Sequence, residues 1–275
     1  MTDRYAVIGN PIGHSKSPAI HTAFAAATGQ DMRYEALEAP VGGFAAAVDA
    51  FRAAGGRGLN VTAPFKLDAC AYATRLLPQA GLAGAANAMS FDGAEVAAGN
   101  FDGTGLVRDI VDNLGCALRG RRVLLLGAGG ATRGALAPIL ERRPAEVVIA
   151  NRTAATAAAL AQRFAPHGAV AAAGYDGLRR QPGGFDIVIN ATSASLRGEL
   201  PDIAAAVFGP GCLAYDMTYG KGLTPFLRLA RDAGAARLAD GVGMLVEQAA
   251  EAFAWWRGVR PGTAAVIARM AVPLA

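Results

Sequence analysis

The sequence predicts an α/β protein made of two αβ domains. Three observations carry that reading. Short apolar strand patterns alternate with helical ones along most of the 275 residues, 35 glycines punctuate the alternation, and one strongly apolar stretch, residues 122–126, runs directly into a glycine-rich turn and a helix. Apolar residues make up 53% of the chain and charged residues 17%, enough apolar material for two cores and too little charge for a disordered chain.

Taken in order, residues 5–9 read as a short buried strand. Ser17-Pro18 reads as an N-cap followed by proline at the first helical position, with Ile20, Phe24 and Ala27 as the apolar stripe of that helix. Residues 32–37 form a second strand, 44–54 a helix and 58–61 a third strand, and Pro64 opens another helix. A second unit begins after Asp102-Gly103. Its strands, at 122–126, 146–150, 186–189 and 212–215, are continuous apolar runs between helices, the signature of a parallel sheet covered on both faces. Residues 240–257 close the pattern as a helix. Leu245, Ala249, Ala252 and Trp256 share its apolar face, with Met244 and Gln248 one turn apart beside it.

The formal charge is +4, and basic pairs such as Arg121-Arg122 and Arg142-Arg143 lie far apart. A scattered excess of arginine is a solvated surface, not a nucleic-acid footprint. Cys70, Cys116 and Cys212 are isolated and lack metal-ligand spacing with the three histidines, so no metal is expected and a reducing compartment is. No signal-like N-terminus and no membrane-length apolar run is found, which makes a cytoplasmic protein the expectation. The chain has 23 arginines but only three lysines, Lys16, Lys66 and Lys221. Arginine cannot release its proton in a protein and lysine can, so each lysine is a candidate for work that needs an ammonium group.

The turn Gly127-Ala128-Gly129-Gly130, between strand and helix, is suited to a pyrophosphate: backbone N–H groups and the helix dipole both favour an anion there. The third glycine of the dinucleotide fingerprint is replaced by Thr132, with Gly130 and Gly134 nearby. At the end of the next strand stands Asn151-Arg152-Thr153. A carboxylate for ribose hydroxyls is absent and a guanidinium for a 2′-phosphate is present, so NADP(H) is the expected cofactor.

These segments, in this order, resemble the shikimate dehydrogenase family. The residues that carry the likeness are 9–18 (GNPIGHSKSP), 60–66 (NVTAPFK), 100–103 (NFDG), 127–131 with 151–153, 190–193 (NATS), 215–222 (YDMTYGKG) and 241–248. The resemblance implies a substrate domain, residues 1–103 completed by 241–275, a Rossmann-type NADP domain, residues 104–240, and an active site in the cleft between them. It implies reversible NADPH-dependent reduction of 3-dehydroshikimate to shikimate by a monomer or homodimer. Ser15 and Ser17 match the residues that hold the substrate carboxylate. Thr62, Asn87 and Gln248 match those that bond the ring hydroxyls, and Tyr219 matches a further substrate contact. Lys66 and Asp102 match the catalytic pair at the C3 oxygen and also touch substrate. Gly127, Ala128, Gly129, Gly130, Ala131, Asn151, Arg152, Thr153, Thr192, Met217, Gly241 and Met244 match the cofactor side.

The chain departs from the family pattern at Gly99 and Phe101, where an aspartate and a threonine are usual, at Ala88, usually threonine, and at Thr156, often lysine. The rival readings are a quinate/shikimate dehydrogenase of broader specificity, a non-catalytic metabolite-binding paralogue, and, on fold analogy alone, a folate dehydrogenase of similar build.

Overall fold

The computed structural model describes residues 2–179 and 183–274. The chain divides into two compact units, Met1–Gly105 with Val246–Val266, and Leu106–Leu245 with Ile267–Ala275.

In the first unit the strands are β1 (Asp3–Gly9), β2 (Met32–Glu38), β3 (Gly56–Val61), β4 (Arg75–Leu76), β5 (Ala88–Asp92) and β6 (Glu95–Gly99), and the helices are α1 (Ser17–Thr28), α2 (Phe44–Ala53), α3 (Lys66–Tyr72) and α4 (Pro78–Ala83). The sheet order is β2-β1-β3-β5-β6-β4. Strands β1, β2 and β3 run parallel, while β5 pairs antiparallel with both β3 and β6. Phe44, Val48, Phe51, Leu59, Phe65 and Met89 pack one core beneath this sheet.

The antiparallel strands β5 and β6 were not expected from the sequence. Two further expectations also shift. Helix α1 starts at Ser17 itself, and its buried face is Ile20, His21, Phe24 and Ala25, with Ala27 exposed. The helix expected at Pro64 begins at Lys66, because Thr62 to Phe65 first form a turn closed by Phe65 N donating to Thr62 O at 3.0 Å.

Helix α5 (Asp102–Arg108) carries the chain into the second unit. Its strands are β7 (Arg122–Leu126), β8 (Glu146–Ala150), β9 (Val170–Ala173), β10 (Phe185–Asn190), β11 (Phe208–Asp216) and β12 (Arg237–Asp240), all parallel, in the order β12-β11-β10-β7-β8-β9. Helices α6 (Gly130–Glu141), α7 (Ala154–Phe164), α8 (Tyr175–Leu178) and α9 (Pro225–Asp232) link them. The strand order reverses between β7 and β10. In a doubly wound sheet, that switch point at the C-terminal strand ends is where a dinucleotide binds.

Helices α10 (Val242–Arg257) and α11 (Ala264–Met270) end the fold. The expected return of residues 241–275 to the first unit is therefore a return of 246–266 only. Residues 241–245 group with the second unit: Gly241 N donates to Thr218 O, and Met244 N donates to the Tyr215 hydroxyl. The last residues do so too, with Leu274 packed on the second unit's core. Among the described residues no helix is long and apolar enough to cross a membrane.

Candidate active site

The first unit brings together a tight polar cluster. Phe65 is buried in the core and fixes the turn after β3, so Lys66 opens α3 at a defined point. Its Nζ donates to Asp102 Oδ2 at 2.6 Å, and Asp102 is the first residue of α5. The other carboxylate oxygen, Oδ1, accepts from Asn87 Nδ2 at 2.8 Å. Asn87 Nδ2 also donates to Gln248 Oε1 at 3.0 Å, and Asn87 Oδ1 accepts Phe101 N at 2.8 Å. Asp102 and Asn87 are buried, while the Lys66 side chain keeps 32% of its surface exposed. A charge-assisted bond to a buried carboxylate steadies the ammonium, whose remaining protons can serve a ligand.

Asn87 was expected on a ring hydroxyl. In this structure both its amide hydrogens are engaged by protein, so it orients Asp102 and Gln248, while its Oδ1, which accepts Phe101 N, has a second lone pair. Gln248, which reads in sequence as a solvated helix face, is 8% exposed.

Ser17 is buried, Ser15 and Thr62 are half-buried, and Ser15 Oγ accepts Ser17 N at 3.3 Å. The Ser17 side chain reaches the Tyr34 phenol, whose hydroxyl donates to Asn60 Oδ1 at 2.7 Å. Burial pushes the pKa of that phenol well up. Asn60 Nδ2 donates in turn to Asn87 O at 3.4 Å. Tyr34 was not picked out from the sequence; its hydroxyl on an otherwise apolar strand face was the only signal.

Gly99 and Phe101 explain each other. A Cβ at residue 99 would stand 2.9 Å from Leu77 Cδ1 and 3.2 Å from Phe101 Cζ. The Phe101 ring fills the space that a side chain at 99 would need, and it packs edge-on against Trp255 at 5.6 Å. The pair leaves Asn100 and Asp102 in place: Asn100 Oδ1 accepts Asp102 N at 3.2 Å, and its Nδ2 donates to Ala85 O at 3.0 Å.

The second unit carries a cleft of ≈ 620 Å³ lined by Gly127, Ala128, Gly129, Asn151, Arg152, Thr153 and Thr192, among others. Gly127 has φ +100°, and a Cβ there would stand 3.2 Å from Thr192 Cγ2, so only glycine lets the turn pass close beneath that wall. Thr132, in the place of the third fingerprint glycine, is buried and donates from its hydroxyl to Gly127 O at 2.8 Å, closing the turn from inside. Gly129 and Gly130 are exposed at the start of α6, where free N–H groups suit a pyrophosphate. Arg152 is exposed at the lip and makes no hydrogen bond or ion pair among the described residues. Its charge is felt by Tyr175 and Glu199. A fit to a 2′-phosphorylated dinucleotide is therefore present: a glycine-rich turn, a helix start and a guanidinium without a partner among the described residues.

Gly130, Ala131, Met217, Gly241 and Met244 do not line this cleft. Tyr175, Arg197, Glu199 and Asp202 do, and were not foreseen. Tyr175 opens α8 after β9, and the other three follow β10 in a segment without a long helix or a recognisable motif. Tyr219, half-buried after β11, belongs to the second unit, and burial raises the pKa of its phenol.

Family models match along the chain: the shikimate dehydrogenase substrate binding domain at residues 7–89, shikimate / quinate 5-dehydrogenase at 106–197, and the shikimate 5′-dehydrogenase C-terminal domain at 241–270. The shikimate dehydrogenase (NADP(+)) of Dechloromonas aromatica is 58% identical over 275 residues, 100% of this chain and 99% of that one. The chain belongs to the shikimate dehydrogenase family. Among solved structures, an Ael1 enzyme from Pseudomonas putida is 58% identical with a TM-score of 0.96 and 100% coverage of both chains. Shikimate 5-dehydrogenase from Thermus thermophilus, solved in complex with NADP(H) and shikimate, is 32% identical with a TM-score of 0.85, covering 98% of this chain and 100% of that one. The family's two-domain α/β build, substrate domain first and Rossmann-like domain second, is the build seen here.

Proposed function

We propose that this chain catalyses the reversible NADPH-dependent reduction of 3-dehydroshikimate to shikimate, a step toward chorismate and the aromatic amino acids. The observation that carries the reading is the 2.6 Å contact of Lys66 Nζ with Asp102 Oδ2, inside a cluster that also holds Asn87 and Gln248. When bound, NADPH supplies the hydride. The Lys66 ammonium donates a hydrogen bond to the C3 oxygen, stabilises the negative charge that grows there and passes it a proton. Asp102 holds the ammonium in place and accepts from the substrate hydroxyl. Gln248 and Thr62 offer hydrogen bonds to the other ring hydroxyls. Ser15 and Ser17, at the start of α1, offer hydroxyls to the carboxylate. On the cofactor side, Gly127 to Ala131 would cradle the pyrophosphate, Asn151, Arg152 and Thr153 the 2′-phosphorylated ribose, and Thr192 one wall. Met217, Gly241 and Met244 are assigned to the nicotinamide end on the family likeness alone. We infer a cytoplasmic enzyme, monomeric or homodimeric.

The test is a rate comparison of shikimate and quinate, each with NADP⁺ and NAD⁺. The expected result is turnover of shikimate with NADP⁺ far above the other three pairs. Preference for quinate with NAD⁺ would overturn the assignment.

A further inference from the structure

Where β10 and β11 end, a carboxylate is buried without a basic partner. Asp216 has no exposed surface and no ion pair among the described residues. Four neutral groups satisfy it: Oδ1 accepts Asn190 Nδ2 at 3.3 Å and Thr218 N at 3.0 Å, and Oδ2 accepts the hydroxyls of Ser195 at 2.6 Å and Thr224 at 2.7 Å. A buried charge is costly unless every lone pair is used. Here it ties the paired ends of β10 and β11 to the segments that follow them, since the donors stand at positions 190, 195, 218 and 224.

Two of those donors lead to the nucleotide cleft. Asn190 is fully buried, and its Nδ2 also donates to Ser195 Oγ at 3.0 Å. Asn190 Oδ1 accepts both Thr192 Oγ1 at 2.7 Å and Thr192 N at 3.2 Å. Thr192 faces the Gly127 turn, and residues 191–194 form one wall of the cleft. The other two donors, Thr218 and Thr224, lie after β11 outside that lining, and Thr224 caps α9 by accepting Leu227 N at 3.3 Å.

We propose that Asp216 is a positioning residue for the dinucleotide: acting through Asn190 and Ser195, it holds the 191–194 wall at the distance the bound cofactor needs. The inference rests on the NADP(H) reading above. It accounts for a buried carboxylate that neither proton transfer nor substrate binding uses.

The two hydroxyls on the same oxygen make an internal control. Ser195→Ala removes the bond on the cleft side, and Thr224→Val removes the bond on the far side together with a helix cap. Binding of NADP⁺ to each variant of the full chain is measured by titration calorimetry without substrate, beside its melting temperature. Ser195→Ala is expected to weaken NADP⁺ binding about fivefold, and Asp216→Asn, where it folds, tenfold or more. Thr224→Val is expected to lower the melting temperature at least as much as Ser195→Ala and leave NADP⁺ affinity within twofold. Equal weakening by the two hydroxyl variants, or none by Ser195→Ala, would overturn the inference. If the unmodified chain bound no NADP⁺, the functional reading would fall first, and this inference with it.

Discussion

The lysine–aspartate cluster and the nucleotide cleft solve opposite problems. The cluster is built from side chains, and most of them are buried: Asn87, Asp102 and Gln248 are each at most 8% exposed and bonded to one another. The cleft is built from a glycine turn, a helix start and exposed residues such as Arg152. A reacting oxygen needs one charge placed to within a fraction of an ångström, which requires bonded supports on every side. A pyrophosphate needs many donors at modest precision, and a backbone supplies them without side chains. Substitutions should therefore fail sharply in the first region and by degrees in the second.

The largest effect is expected at Lys66. Lys66→Ala should lower kcat by on the order of 10²–10⁴, the usual worth of a positioned acid–base group, while NADP⁺ affinity, measured by direct titration, stays unchanged. A parallel loss of NADP⁺ binding would erase the contrast between the regions.

The next effect concerns His21, which lies beside the cluster's supporting residues. It stacks on Tyr34 at 4.2 Å with nearly parallel rings, and among the described residues neither ring nitrogen has a partner in good hydrogen-bond geometry. Burial lowers its pKa to about 3, and the neighbouring Asn60 amide offsets only part of that. The unfolded chain therefore binds a proton near the ordinary value of 6.5 that the folded chain refuses until about pH 3. In that window the unfolded state carries more protons, so stability falls as pH falls, by roughly 1.4 kcal/mol per unit. Between pH 7 and 5 the unmodified protein should lose about 2 kcal/mol more than His21→Phe in urea unfolding. Identical pH profiles would mean that the folded site accepts the proton.

At the cleft, Arg152→Ala should cost about tenfold in NADP⁺ affinity and little for NAD⁺, since the guanidinium is exposed and screened. The ratio of the two dissociation constants, measured at low and high salt, decides it. A similar loss for both cofactors would assign Arg152 to the cleft's shape and not to the phosphate.

The same contrast explains what could be read from sequence. Strands β7 and β8 were placed to the residue because fully buried parallel strands are unbroken apolar runs. Strands β9 and β12, Val-Ala-Ala-Ala and Arg-Leu-Ala-Asp, carry too little strand propensity to register. The hairpin of β5 and β6 was hidden in alanine-rich text. Lys66, Asp102 and Arg152 were readable because each sits in a short motif. The partners of Asp216 were not: a buried carboxylate collects donors from positions 190, 195, 218 and 224, and only the ends of adjacent parallel strands bring them together. Tyr34 stayed hidden for the same reason, since its partner Asn60 lies on another strand.

The smallest effect, at Gly99, probes how far the cluster's rigidity extends. The atoms nearest a methyl group at 99 are the far ends of the Leu77 and Phe101 side chains, which can yield, and Gly99→Ala should cost only about 1 kcal/mol of stability. Phe101 is not a free neighbour, however: its N–H is held by Asn87, the residue that orients Asp102. A ring pushed aside at 101 therefore pulls on the Asp102 carboxylate, and kcat should fall a few-fold with KM for NADP⁺ unchanged. Phe101→Leu should cost some packing against Trp255 alone, and combined with Gly99→Ala it should recover part of the rate, because the smaller side chain makes room for the methyl group. A double-mutant cycle on kcat measures that coupling. Strict additivity would mean that Gly99 and Phe101 act separately and that the brace around Asp102 stops at Asn87.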